Sequence, residues 1–447
     1  MGIDTAASTA VELALAQGAG SADAFGVEGE DLTVRVYEGE VESLSEAGAR
    51  GLGVRVFIDG RTALAYGTDL TEPGIGALAR GAVEAAQVSD PDEYAGLPER
   101  SGAADAPPIS SPELARWDTE RKIDLAKAVE RAARERDGIS QVEDTIYADS
   151  QTRVALANST GFRGEYEQTA AYAYAYAFAG EGAELMTGLG VGAGRDPAAL
   201  DPEAIGGEAA ERALALRGAT KPATRRCPVV LDTFVAASFA GLIGGTLSAD
   251  AVQRGRSLFA GREGEEIASK AVALVDDGLH PDGPATAPFD GEGSPRRRTP
   301  LIENGVLASF LWDARTARKG GRETTGSASR SYSSKPSVGA SNLVIEPGTD
   351  TLEDLCAAAG NGVLVTHVTG LHSGVNPVSG TLSVGATGRL IENGQLGAPV
   401  REMTIASDLV SMLKSVRAVG SQGRWVPFGG SVMAAPLLIE SMSVSGS

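Results

Sequence analysis

Two stretches far apart in the chain, LIENGVL at 301–307 and LIENGQL at 390–396, carry the same pattern. Each sets Asn-Gly between segments that alternate apolar and polar residues. A two-residue hairpin turn needs φ > 0 at both central positions, and Asn and Gly tolerate it best, so each string predicts a tight antiparallel hairpin. Two hairpins of one kind predict that the second half is a large antiparallel sheet or a closed, barrel-like β-structure.

The first half mixes two periods. Residues 4–17 repeat apolar side chains at helical spacing and stop at Gly18 and Gly20, which predicts a helix. From 33 to 68 the period falls to two, interrupted by Glu-Gly, Ala-Arg-Gly and Asp-Gly. That reads as a strand–turn–strand–turn–strand meander. Helices are expected at 73–87, 122–136 and 202–217, strands at 142–150, 152–161 and 162–182, and a surface loop at 89–118, where Pro, Asp and Ser accumulate. Tyr172, Tyr174 and Tyr176, with Tyr166 before them, fall on one strand face. An aromatic binding surface and ordinary cross-strand packing both fit that placement.

KPATRRCP (221–228), with Pro222 and Pro228, marks a linker. The fold class is therefore α+β, with an N-terminal α/β domain over 1–220 (meander and flanking helices) and a β-rich C-terminal domain over 225–447. The second domain opens on VVLDTFVAASFAGLIGG (229–245), a short apolar strand running into a small-residue helix, and adds helices near 350–360 and 406–416.

Composition excludes several functions. A net charge of −20 repels phosphate backbones, so nucleic acid is not an expected partner, and Arg296-Arg297-Arg298 is too short to reverse that. Cys227 and Cys356 make no disulfide framework and read as buried thiols in a reducing compartment. No apolar run approaches the roughly 18 residues of a membrane span. The N-terminus has no basic segment and carries Asp4 and Glu12, so the expected location is the cytoplasm and no membrane is a partner.

Chemistry is limited by three histidines, His280, His367 and His372. A catalytic zinc site takes two or three His with a carboxylate or thiolate, and no His-Glu-x-x-His occurs. His367 and His372 share a Gly- and Pro-containing loop, but a spacing of five puts them on neither one helix face nor one strand face. They read as half of a metal site, as substrate contacts, or as an ordinary turn. No Gly-x-Ser-x-Gly elbow and no phosphate-binding glycine loop occurs. The acidic strings at 261–266 and 290–293 are expected to be solvated faces.

Five segments taken in order carry a family likeness: QRGRSLFAGREGEEIAS (253–269), VDDGLHPDGPATAPFDGEG (275–293), LIENGVLASFLWDARTARKGG (301–321), GLHSGVNPVSGTLSVGATGRLIENG (370–394) and WVPFGG (425–430). Together they resemble the TldD/TldE (PmbA) peptidase family. The resemblance implies two kinds of member. A catalytic kind carries His-Glu-x-x-x-His on the helix after the first C-terminal-half strand, plus a late cysteine ligand; a TldE/PmbA-like kind lacks the metal and pairs with it. Counting from 229–231 to Arg254 and Gly255 puts the motif positions on Gly241, Leu242 and Thr246, and the late cysteine near Val419. Glycine, leucine and valine offer no ligand, and threonine is a poor one.

The resemblance therefore implies a metal-free partner subunit of a heteromeric metallopeptidase acting on short or unfolded peptides. It implies no catalytic residue and no cofactor in this chain, zinc in a catalytic TldD-like subunit, peptide substrates, and a possible homodimer when alone. His372, Asn376 and Ser379 are the candidate substrate contacts. The alternatives are a free-standing peptide-tailoring metalloenzyme using His367 and His372, and a peptide-binding module without protease activity.

Overall fold

The computed structural model describes residues 1–426 and 430–446. Pro427, Phe428 and Gly429 of the last family-like segment lie outside the described residues.

The chain opens with helix α1 (Ile3–Ala16) and strands β1 (Ser21–Tyr37), β2 (Glu40–Ile58) and β3 (Arg61–Gly67), followed by helices α2 (Glu72–Val88) and α3 (Thr119–Arg134). Strands β4 (Ile139–Asn158), β5 (Arg163–Ala179) and β6 (Met186–Gly194) and helix α4 (Pro202–Leu214) complete this part. The six strands form one antiparallel sheet in the order β3-β2-β1-β4-β5-β6. All four helices cover one face. α1 and α2 pack on Ala22, Ala24, Val54 and Val56 at one end. α3 and α4 pack on Val34, Val36 and the alanines of β5 at the other.

Two expected breaks do not occur. β2 runs straight through Ala49-Arg50-Gly51, and β4 is one strand across residues 150–152. Gly51 and Gly53 serve close approach instead of a turn: a Cβ on Gly51 would overlap the Tyr332 ring, and one on Gly53 the Tyr332 carbonyl. β6 is a strand that the residue pattern does not announce. Its Gly188 and Gly190 face α4, where a Cβ would overlap the backbone of Ala209 and Ile205.

The remainder follows in chain order as β7 (Arg225–Leu231), α5 (Thr233–Thr246), α6 (Ala249–Gln253), β8 (Leu274–Asp277), β9 (Arg298–Glu303), β10 (Val306–Leu307), α7 (Ala314–Gly320), β11 (Ala328–Ser329), β12 (Ser337–Val338) and β13 (Leu343–Ile345). It ends with α8 (Leu352–Ala359), β14 (Gly362–Thr369), α9 (Leu371–Gly374), β15 (Thr381–Glu392), β16 (Gln395–Asp408), α10 (Leu409–Lys414), β17 (Val416–Val419), β18 (Arg424–Val426), β19 (Val432–Ala434) and β20 (Leu437–Ser445).

β16-β15-β14-β7-β20 closes on itself through a β16–β20 pairing, giving a five-stranded barrel. A second sheet runs β10-β9-β8-β13-β19-β18. Both Asn-Gly strings form their hairpins, one in each sheet. Asn304 and Gly305 take φ 47° and 80°, Asn393 and Gly394 52° and 80°, as a type I′ turn requires. The expected linker is shorter than 221–228, because Arg225 already starts β7. Pro228 is tolerated inside that strand because it lies where β20 bulges between Ile439 and Met442.

Barrel-interior residues such as Val229, Leu231, Val363 and Ile439 share one core with Val235, Phe239 and Ile243 of α5 and with Leu274, Leu301 and Leu343 of the second sheet. Cys227 and Cys356 are buried free thiols.

The face of the first sheet away from its helices meets this region. Phe25, Val154 and Leu156 pack with Phe289. Beside them the expectation of a solvated 290–293 face fails, since Asp290 and Glu292 are buried. Asp290 accepts from the backbone of Glu292, Ser294 and Ala328. Glu292 accepts from Arg55 at 2.9 Å and from Ala314 N at 2.9 Å. Arg55 also holds Asp23, which in turn accepts from Arg330 at 2.7 Å. A carboxylate goes into a protein interior only with such partners, and for Glu292 and Asp23 one of them, Arg55 and Arg330 respectively, comes from the other half of the chain.

Candidate functional site: a helix without ligands beside an open strand edge

Helix α5 begins where β7 ends. Asp232 caps it, accepting from Val235 N at 2.9 Å, and its backbone N–H is held by Val365 O of β14. On this helix Leu242 is partly buried against the shared core, and Thr246 is buried with its hydroxyl donating to Ile243 O at 2.6 Å. Gly241 faces a cavity of about 230 Å³ walled by 338–341 and 430–432. Val419 is buried in β17, paired with Leu437. None of these four side chains offers a metal donor of ordinary strength. Among the described residues, no three His, Cys, Asp or Glu side chains come together in a way that would hold a metal ion. The donor set of this helix does not fit a zinc ion.

The 370–380 loop is built by its own backbone. Asn376 Oδ1 accepts from Val378 N and Ser379 N at 2.9 and 3.0 Å, and its N–H donates to Thr381 O, so the side chain closes a turn. Ser379 Oγ lies 2.6 Å from Thr381 Oγ1. His372, on α9, is exposed, as is Ser379. The structure thus joins Asn376 to Ser379 and leaves His372 on the surface.

His367 sits elsewhere, on β14 at a bulge opposite Thr387. It borders a cavity of about 720 Å³ between β5, β6 and α4 on one side and β14–β16 on the other. Tyr176, Met186, Thr187, Leu189, Phe234, Leu364 and Thr366 line it. Desolvation pushes the His367 pKa below its ordinary value despite nearby Asp232, so the imidazole is neutral at pH 7. Its ring nitrogens bond to no described residue. Arg212 knits the cavity floor: it pairs with Asp232, donates to Thr366 O at 3.0 Å and lies 4.6 Å above the Phe234 ring. Burial raises the Asp232 pKa, and Arg212 works against that rise.

The cleft borders an open strand edge. β6 is the last strand of its sheet. The side chain of Arg424 reaches over this edge to the Val191 carbonyl, and Glu208 accepts from Val191 N. Main-chain groups alternate sides along a strand, so Thr187 and Leu189 present their N–H and C=O to the same side as Val191. Both residues line the cavity, and among the described residues no further strand pairs with β6 on that side. Tyr176, opposite Leu189 across the β5–β6 pair, is the last of a tyrosine row; Tyr172 and Tyr174 stack at 6.4 Å, and Tyr174 meets Tyr176 edge-on at 5.9 Å. Tyr166 is separate, packed on Phe289 at 5.2 Å. This edge escapes a residue-by-residue reading because its alternating glycines suggest a loop, and its second wall comes from strands far along the chain.

Three family models match the chain: PmbA/TldA metallopeptidase domain 1 over residues 22–86, the central domain over 112–217 and the C-terminal domain over 224–446. The metalloprotease PmbA of Escherichia coli O157:H7 is 27% identical over 447 residues, covering 99% of this chain and 96% of that protein. A PmbA homologue of Haemophilus influenzae is 28% identical, covering 99% and 95%. Among solved structures, a Thermotoga maritima protein matches with TM-score 0.91 and 26% identity over 99% of this chain and 100% of that one. TldE of Thermococcus kodakarensis shares the fold, with TM-score 0.91 and 24% identity over 99% and 100%.

Proposed function

Because the chain belongs to the PmbA/TldD metallopeptidase family, we propose that it is the metal-free member of a two-subunit cytoplasmic peptidase and holds peptide for a catalytic partner. One observation carries this reading: Gly241, Leu242 and Thr246 stand where the resemblance places the ligand pair and general base, and none can do that work. The partner is a relative bearing His-Glu-x-x-x-His, and the zinc is the partner's.

The open edge at Thr187 and Leu189 supports the peptide-holding half of the proposal. An extended peptide added there would bond through its main chain, independent of sequence, with its side chains entering the 720 Å³ cleft. A cleft with Tyr176, Phe234 and Leu364 in its walls favours apolar side chains. His372 and Ser379, exposed on the 370–380 loop, are proposed as contacts on the chamber side, with Asn376 fixing the loop's shape.

A second reading, a peptide-binding module that works without a protease, draws on the same edge. Co-purification separates the two. The first expects a His-Glu-x-x-x-His relative to bind this chain and peptide cleavage to need both; stable peptide capture with no partnership would favour the second.

A further inference from the structure

We propose that the cavity between the Pro98–Arg100 loop and the C-terminal half is a binding site for a small oxyanion, a carboxylate or phosphate group. The cavity measures about 250 Å³. Five guanidinium groups line it (Arg100, Arg296, Arg297, Arg318 and Arg322) against two carboxylates, Glu99 and Glu323, an excess of three positive charges. The chain as a whole has the opposite sign, with a net charge of −20. A local reversal of that kind concentrates anions at one place.

The hydrogen bonds of Arg318 and Arg297 leave their charge free. Arg318 donates to the carbonyls of Tyr94 and Leu97, and Arg297 to those of Thr324 and Thr325. A carbonyl accepts a bond without cancelling the charge. Arg322 is offset by Glu263 at 2.8 Å. Arg296 donates to Gly326 O at 3.1 Å, is attracted by the buried Asp276 and Asp290, and keeps a buried Nε with no partner among the described residues. Arg100 is exposed and makes no bond to a described residue. Its planar fork is available for the two-point contact that carboxylate and phosphate oxygens accept.

The site has an exit. A wider groove of about 450 Å³ shares Arg297, Arg322 and Glu323 with the cavity and continues past Thr299 and Ser309. It gives room for the body of a molecule whose anionic group sits among the arginines. Because Arg318 ties down the 94–97 loop, occupancy would also brace that loop against α7.

Titration calorimetry on the full chain at low salt tests this, with inorganic phosphate and succinate as probes. The expected result is saturable binding of at least one, with Kd on the order of 1 mM or tighter and weakening with added NaCl. Preference for phosphate or for succinate identifies the source of the anion. Arg100→Ala, which breaks no bond of the fold, should weaken binding about tenfold or more with an unchanged melting temperature, and Arg100→Lys should restore part of it. No binding of either probe would overturn the proposal. So would binding that both Arg100→Ala and Arg297→Ala leave intact.

Discussion

Replacing Arg55 with Met tests how the two halves of the molecule are joined. Arg55, on β2, is 8% exposed at its side chain and bridges Asp23 of its own sheet and Glu292 of the C-terminal half, the latter at 2.9 Å. At an effective dielectric near 20, each contact is worth about 4 kcal/mol of attraction. Much of this is offset by the cost of desolvating Arg55, but the cost of burying Glu292 remains after the arginine is gone. Its residual partner is Ala314 N, and Asp290 and Asp313 repel it. Asp23 keeps Arg330. The expected loss is therefore about 3–5 kcal/mol, the range for an orphaned buried charge. Denaturant unfolding followed by tryptophan fluorescence reads it in both halves, since Trp117 lies in the first and Trp312 and Trp425 in the second. The transition should move to lower denaturant and separate into two steps. The double variant Arg55→Met, Glu292→Gln should be more stable than Arg55→Met alone, because the stranded charge is removed. A loss under about 1 kcal/mol, or two substitutions that simply add, would refute the reasoning.

Leu189→Pro removes the N–H that faces the cleft and spares the ladder to β5, so peptide binding should fall about tenfold or more while stability changes by under about 1 kcal/mol; fluorescence anisotropy with a labelled apolar peptide measures the first and a melt the second. Gly190→Ala drives a methyl into the Ile205 carbonyl and should cost about 1–3 kcal/mol or more by displacing α4, visible in denaturant unfolding. Burial raises the Asp276 carboxyl from 3.8 to about 6. A raised carboxyl contributes stability that is whole below the unfolded pKa and lost as pH climbs through the folded one, so between pH 4 and 6 its contribution should fall by on the order of 3 kcal/mol. Asp276→Asn should flatten that part of the stability–pH curve; an unchanged curve would contradict the assignment. His372→Ala in a reconstituted pair should slow peptide processing, and unchanged processing would remove His372 from the substrate contacts.

Much of the fold was legible in the residues because its signals are local. Both Asn-Gly turns formed, and the helices fell within a few residues of their expected spans. The misreadings share a cause. Gly51, Gly53, Gly188 and Gly190 look like turn or loop residues, yet each is glycine because another segment, Tyr332 or α4, presses against the strand. Asp290 and Glu292 look like a wet acidic face, yet Arg55 lies far away in the chain and brings them inside. Helix α5 itself could be read from the chain, because a short apolar strand running into small apolar residues is a local signal. The cleft could not, because its two walls are joined only when β6 and α4 meet the barrel strands β14–β16.

Metal content and activity measured together test the proposed role most directly. The purified chain should contain no stoichiometric zinc and cleave no peptide, and mixing it with a His-Glu-x-x-x-His relative should yield a complex that does both. Stoichiometric zinc in the chain alone, lost on His367→Ala and accompanied by peptide cleavage, would contradict it.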